Sequence, residues 1–276
     1  MTTIIGVDFS GAKSDRNTWA TVARLEHPAS LHVDSAQRIP RADLYDLLVA
    51  VPTPAVAALD FPFGVPAQFA SSIAAPPAPT DMPDLWRAVQ PISAVDFIAA
   101  RNTFVAVHGE PKRAGDFKYH RESYSPLHNV NPNMLPMTWH GIQLLHRWHQ
   151  EHPRRWYVPP LPAPAPPENV VTLLELMPGA LLRALALPFK GYKRGRDSAH
   201  RRTQILDNLA AASGVALPDL DSVRDDCLAN DDCLDSVVAA VGAAMWAQDS
   251  SRFRHPTDDE LLDAKLEGWI YVPNLD

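Results

Sequence analysis

The sequence predicts an α/β chain: a mixed five-stranded sheet flanked by helices, with a long insertion before the fifth strand. Three short apolar runs, residues 3–8, 55–60 and 169–175, each end on a carboxylate: Asp8, Asp60 and Glu175. Helical spacing separates the later runs and fills the last third of the chain. Two further β-rich runs follow the first through short links, as antiparallel hairpins require. The fourth and fifth strands arrive after helical crossovers, which points to parallel addition.

Each element has a local reason. Residues 3–8 (TIIGVD) form the first strand, and residues 17–24, with Trp19, Thr21 and Val22, the second. Residues 31–39 are a weaker third strand. Leu44, Leu47 and Leu48 give residues 42–50 a helical face, and Pro52 and Pro54 stop that helix. The fourth strand, 55–60 (AVAALD), runs directly into Phe61-Pro62-Phe63-Gly64. Residues 84–101 read as one helix, with Leu85, Val89 and Ile92 on a common face. Residues 102–136 carry few periodic signals, and a helical pattern returns at 138–151. The fifth strand, 169–175 (NVVTLLE), precedes helices over 178–187, 197–212 and 231–248. Asp197 or Ser198 is placed to cap the second of these. Leu234, Val238, Val241 and Met245 stripe the third. The chain reads as a single domain, 1–276, with 102–168 as a largely irregular or helical insertion.

Composition narrows the function classes. A 276-residue chain that is 46% hydrophobic and 21% charged buries a core and is not of the disordered class. Its net charge of −7 speaks against indiscriminate coating of nucleic acid. The 27 prolines, about twice average usage, concentrate at 75–83 and 159–167 as stiff extended connections. Two cysteines, Cys227 and Cys233, make no disulfide framework. Residues 1–11 lack a basic segment before an apolar run, so no secretory leader is expected. The apolar stretch 237–247 is far shorter than the ~20 residues of a membrane span. The expectation is a soluble protein of a reducing, cytoplasmic compartment.

The acids carry the chemistry. In open α/β sheets, ligands bind beyond the carboxyl ends of parallel strands, where Asp8, Asp60 and Glu175 are expected to converge. Asp232 and Asp235, three apart on the last helix, share a face, with Asp235 at the edge of the buried stripe. Asp231 offers an alternative to Asp232, or a helix cap. Any single acid at a strand end also has a plain reading as a turn former or cap. Gathered carboxylates repel unless cations intervene. Oxygen-only ligation suits Mg²⁺ or Mn²⁺, and two such ions can clamp the attacking and leaving oxygens of a phosphodiester displacement.

The blocks Gly6-Val7-Asp8-Phe9-Ser10-Gly11-Ala12, Ala58-Leu59-Asp60-Phe61-Pro62-Phe63-Gly64, Leu174-Glu175-Leu176-Met177-Pro178, Asp232-Cys233-Leu234-Asp235-Ser236-Val237-Val238-Ala239-Ala240 and Glu267-Gly268-Trp269-Ile270-Tyr271-Val272-Pro273 resemble the domain-of-unknown-function family 429. That family is described as predicted nucleases of ribonuclease H-like fold. The resemblance implies adjacent first and fourth strands, with Asp8, Asp60 and Asp235 as metal ligands. It pairs Asp232 with Asp235 as the Asp-x-x-Asp of the final helix and matches Glu175 to the family's acid before proline; on a hydrolase reading, Asp232 and Glu175 are expected as auxiliary ligands or a water-orienting base.

Seven Lys and Arg face one acid over residues 183–202. This segment reads either as a phosphate-binding loop or as a solvated helix start. On the functional reading, Lys193 is the preferred phosphate contact, Arg201 supports it and Tyr192 stacks on a base. Arg113, Lys118, His120 and Arg121 form a second basic group, with Arg113 the candidate anion contact. His146, His149 and His152 step by three, but without a partner carboxylate they read as a solvated helix face rather than a zinc site. No phosphate-binding Gly-Lys-Ser/Thr or nucleophile-elbow pattern is present, and Ser10 is expected to shape a turn. The leading expectation is a hydrolase, a metal-dependent nuclease using Mg²⁺ or Mn²⁺ on a nucleic acid substrate. A phosphotransferase of the sugar-kinase and actin type, or a non-catalytic nucleic-acid-binding module, are the alternatives.

Overall fold

The first apolar run folds as β1 (Thr2–Asp8) in a computed structural model that describes residues 1–12, 17–26, 29–119, 123–129, 131 and 133–274. β2 (Thr18–Glu26) and β3 (Ser30–Ile39) follow as antiparallel neighbours, and α1 (Arg41–Ala50) leads to β4 (Ala55–Asp60). Next come α2 (Ala67–Ile73), α3 (Met82–Val89), α4 (Ala94–His108), α5 (Ala114–Tyr119) and α6 (Met134–Glu151). Two strands follow, β5 (Trp156–Tyr157) and β6 (Val171–Glu175). The chain continues through α7 (Pro178–Ala184), α8 (Ser198–Ser213), α9 (Arg224–Ala229), α10 (Asp231–Gln248) and α11 (Leu261–Glu267). The strands form one mixed sheet of order β3-β2-β1-β4-β6-β5. β4 adds parallel to β1, and β6 and β5 continue in parallel.

The sheet therefore has six strands where the spacing predicts five. The extra one, β5, is two residues long, too short for an alternating pattern to register in sequence. The helix expected over 84–101 is two, α3 and α4, separated at Pro91 and recapped by Ser93, whose side chain accepts from Asp96 N. Among its described residues, the region 102–168 is helical in large part. It holds the end of α4, then α5, α6 and β5, and it supplies Phe104, Leu135, Ile142, Leu145 and Trp148 to a buried core.

That core covers one face of the sheet, where Ile5, Val7, Leu59 and Leu173 meet α1, α3, α4 and α6. On the opposite face, Ile4, Ala58 and Leu174 meet α7, α8 and α10. Helix α10 lies on the middle strands and is buried continuously from Cys233 to Trp246. Its side away from the sheet is covered too: α7, α8 and α9 pack around it.

The closest approach falls at Gly6. A Cβ built there would lie 2.1 Å from Ser236 O and 2.2 Å from Ala240 N, so only glycine lets α10 settle onto β1. Thr21 Oγ1, paired across from Gly6, meets Ser236 Oγ at 2.7 Å and fixes the helix along the sheet. Gly6→Ala pushes backbone against backbone, where no rotamer relieves it. Its expected cost is about 3 kcal/mol or more, read as a lowered midpoint of urea unfolding with an unchanged slope.

Candidate metal centre

Sheet register builds the centre. Asp8 and Asp60 are paired residues at the carboxyl ends of parallel strands β1 and β4, so their side chains leave on the same face. That face is the one α10 covers. Asn230 starts α10: its side chain accepts from the backbone N–H groups of Asp232 and Cys233 at 2.7 and 3.2 Å. Asn230 thus takes the capping role considered for Asp231. The first turn then points Asp235 inward, and it is fully buried. Carboxylate oxygens of Asp8, Asp60 and Asp235 lie within 4.8 Å of one another. Among the described residues this is the one such convergence of three or more Asp, Glu, His or Cys ligands. Asp232, half-buried one turn earlier, adds its charge to the same field.

The electrostatics are those of an undercompensated anionic pocket. Loss of hydration, then the neighbouring Asp235, hold Asp8 well above the usual carboxylate range against the pull of Lys193. Burial pushes Asp60 up to about 7, with Asp235, Glu175 and Asp232 adding and Lys193 opposing. Burial also raises Asp235 despite its two donors. Asp232 is raised by burial and by Asp231.

The two donors to Asp235 come from the basic loop. Lys193 Nζ stands 2.6 Å from Asp235 Oδ2, and the Tyr192 hydroxyl donates to Asp235 Oδ1 at 2.9 Å. Tyr192 is buried, which overturns its expected role as an exposed base-stacking ring. Its chemistry here is to orient a carboxylate. Arg201 donates to the Lys190 carbonyl at 3.0 Å and Arg202 to that of Tyr192 at 2.6 Å, so both arginines staple the loop. Lys193 remains half exposed at the rim, and Arg194 and Arg196 are exposed.

Glu175 does not join the acids. It is paired with Leu59 rather than Asp60, so its side chain leaves on the opposite face. There Arg113, only 2% exposed, grips it with two N–H donors at 2.5 and 2.9 Å. The same guanidinium holds Asp116 at 2.9 and 3.0 Å and the Glu267 carbonyl at 3.0 Å. Phe63 N also donates to Glu175. Glu267 accepts from Ala67 N and Ala114 N, both at 2.7 Å. Gly268, at φ +80°, leaves the room that Glu175 Oε2 occupies. The expected auxiliary catalytic acid and the expected anion contact therefore satisfy each other inside the protein. Lys118, His120 and Arg121, grouped with Arg113 in the sequence, fall outside what is described: the side chain of the first, and the other two residues entirely.

Asp116 and Glu267 had no local signature as parts of such a network, although Glu267-Gly268 stands in one of the sequence blocks noted above. Ser10 shapes its turn as expected, with its Oγ accepting from Ala12 N at 3.2 Å. Cys227 and Cys233 are buried free thiols, 3.5 Å apart at sulfur. His149 packs edge-on against Trp86.

These features define an α/β chain with an acidic centre at the carboxyl ends of its first and fourth strands. A family model described as Protein of unknown function (DUF429) matches residues 161–260. The match spans β6 to α10 and so includes Tyr192, Lys193, Asp232 and Asp235. It does not reach Asp8 or Asp60. Neither the curated proteins nor the solved structures contain a significant match.

Removing Arg113 strands buried carboxylates. Arg113→Ala is expected to cost about 3–5 kcal/mol, with Arg113→Lys recovering only part because one ammonium cannot grip two carboxylates bidentately. Urea unfolding of both variants measures this. Wild-type stability in Arg113→Ala would restore the side chain as a candidate ligand contact.

Proposed function

We propose that this chain is a metal-dependent nuclease that hydrolyses phosphodiester bonds, with a sheet of ribonuclease H-like type. The observation that carries the reading is the meeting of Asp8, Asp60 and Asp235, three residues far apart in sequence, within 4.8 Å. The strand plan supports it: an antiparallel β1-β2-β3 meander, then parallel addition with β4 beside β1.

The donor set fits a hard divalent cation. It is all oxygen, it is poorly hydrated, and among the described residues one ammonium, Lys193, opposes three to four carboxylates. Asp8, Asp60 and Asp235 would hold Mg²⁺ or Mn²⁺, with Asp232 as the auxiliary carboxylate at the rim. Bound there, the ions supply Lewis-acid stabilisation of phosphoryl charge and a water of lowered pKa. The chain's own residues do the rest. Tyr192 and Lys193 orient Asp235 from opposite oxygens. Lys193, at the rim, also meets an incoming phosphate. The exposed Arg194 and Arg196 extend that positive edge toward the flanking backbone of a nucleic acid.

Purified protein with Mn²⁺ is expected to cut single-stranded or structured nucleic acid. Asp8→Asn and Asp60→Asn should each lower cutting about a hundredfold or more. Undiminished cutting by either variant would remove the assignment.

The acids also set a pH dependence. Folded Asp60 keeps its proton up to about 7, against an ordinary value of 3.8, so the folded state binds more protons between those values. Stability in chelator is therefore expected to fall as pH rises from about 4 through about 7. Mn²⁺ should restore it, with an apparent affinity that rises over the same interval as protons cease to compete. Thermal unfolding at stepped pH, with chelator and with Mn²⁺, tests both. A pH-independent response to Mn²⁺ would contradict it.

A further inference from the structure

Beside Asp60 the surface opens into an apolar pocket formed by Pro62, Met134, Met137, Met177 and Tyr124. Its two ends come from different parts of the chain, β4 and the segment after β6 on one side, and the 102–168 region on the other. Tyr124 is 60% exposed, unusual for a ring that is also held in place. It stacks on His128 with ring centres 4.3 Å apart and planes 10° from parallel. His128 is fixed in turn through Nδ1 to Glu110 at 2.9 Å. Glu110 pairs with the buried Arg101, whose Nε donates to Leu127 O at 2.6 Å. From the other side, Ser123 Oγ contacts Asp116, which Arg113 ties to Glu175 at the end of β6. A buried ionic network around Arg113 on one side, and the buried Arg101 acting through the more exposed Glu110 and His128 on the other, thus hold one exposed aromatic ring next to the acidic centre.

We propose that Tyr124 and the methionine-lined pocket seat a nucleobase of the strand whose phosphate lies at Asp8, Asp60 and Asp235. This deepens the nuclease reading and rests on it. A planar, apolar ring suits the chemistry. Thioethers adapt to irregular flat surfaces, and a ring fixed in advance forfeits little entropy on stacking. Apart from Asp60 and the Tyr124 hydroxyl, the polar side chains bordering the pocket, Arg113, Glu175 and Ser123, already engage one another or Asp116, so the pocket takes a base mainly by shape and stacking. The networks around Arg113 and Arg101 are positioning elements for this platform.

The test measures binding by the native chain with Ca²⁺ in place of Mg²⁺, so that probes stay intact while every carboxylate of the centre is kept. The probes are single-stranded oligonucleotides of mixed sequence, DNA and RNA, and abasic strands of equal length. The base-bearing strand is expected to bind about tenfold more tightly than the abasic one, the scale of a single base–aromatic stack. Tyr124→Ala should abolish that difference and leave abasic binding unchanged, whereas Tyr124→Phe should retain it. Equal binding of both strands, no binding of either, or a Tyr124→Ala variant that still discriminates would each overturn the platform. Cutting is scored separately with Mn²⁺ in place of Ca²⁺. Lost discrimination with Asp8-dependent cutting intact removes the platform alone. Discrimination without Asp8-dependent cutting removes the hydrolytic reading but leaves a base-binding pocket.

Discussion

Helix α10 can reach the acids only because β1 carries glycine at position 6. With no side chain there, the backbone of Ser236 and Ala240 rests directly on the strand, and the turn before them delivers Asp235 to the ends of β1 and β4. Sheet register brings Asp8 and Asp60 together, and this contact adds Asp235 to them. A helix held one side-chain thickness farther out would leave Asp8 and Asp60 as two hydrated strand-end carboxylates. Brought close, the three lose hydration and raise one another's proton affinity. Tyr192 and Lys193 offset part of that cost, which explains why a tyrosine in a basic loop is buried rather than displayed.

The sheet separates two polar networks that the sequence places at neighbouring strand ends. On the α10 face, among the described residues, stand three close acids with one ammonium, Lys193, beside them. On the other, Arg113 satisfies Glu175 and Asp116 in one buried, fully hydrogen-bonded cluster. The first arrangement is poised to take up positive charge, and the second is complete. Replacing a member of the second leaves a partner unpaired in low dielectric. Replacing a member of the first relieves repulsion. The two networks therefore answer differently to mutation although Asp60 and Glu175 end adjacent strands.

The region between β4 and β6 is the part of the chain that joins these networks to the surface. Its helices α4 and α6 help build the core on the sheet face that carries Ile5, Leu59 and Leu173. Its loop residues Glu110, Ser123 and His128 connect buried arginines to the exposed Tyr124 ring. What composition presents as an irregular, histidine-rich excursion is tied to the end of β6 by direct ionic contacts, and its position beside Asp60 is set by them.

Much of this was legible before any coordinates. Apolar runs ending on acids marked β1, β4 and β6, and the long buried stripe marked α10, because burial against a neighbour imposes its period on the residues. Asp8, Asp60 and Asp235 could be named from those patterns and from the family resemblance. The side of the sheet on which each acid emerges could not. A strand's alternation shows which residues share a face within that strand, but its register against the next is a property of the pair. Glu175 lies opposite Leu59, and that one-residue offset sends it to Arg113 rather than to the acidic centre. Charge pairing is equally non-local. Whether Arg113, Tyr192 or Lys193 faces solvent or a buried carboxylate depends on segments tens to more than a hundred residues away, which only the folded packing brings into contact.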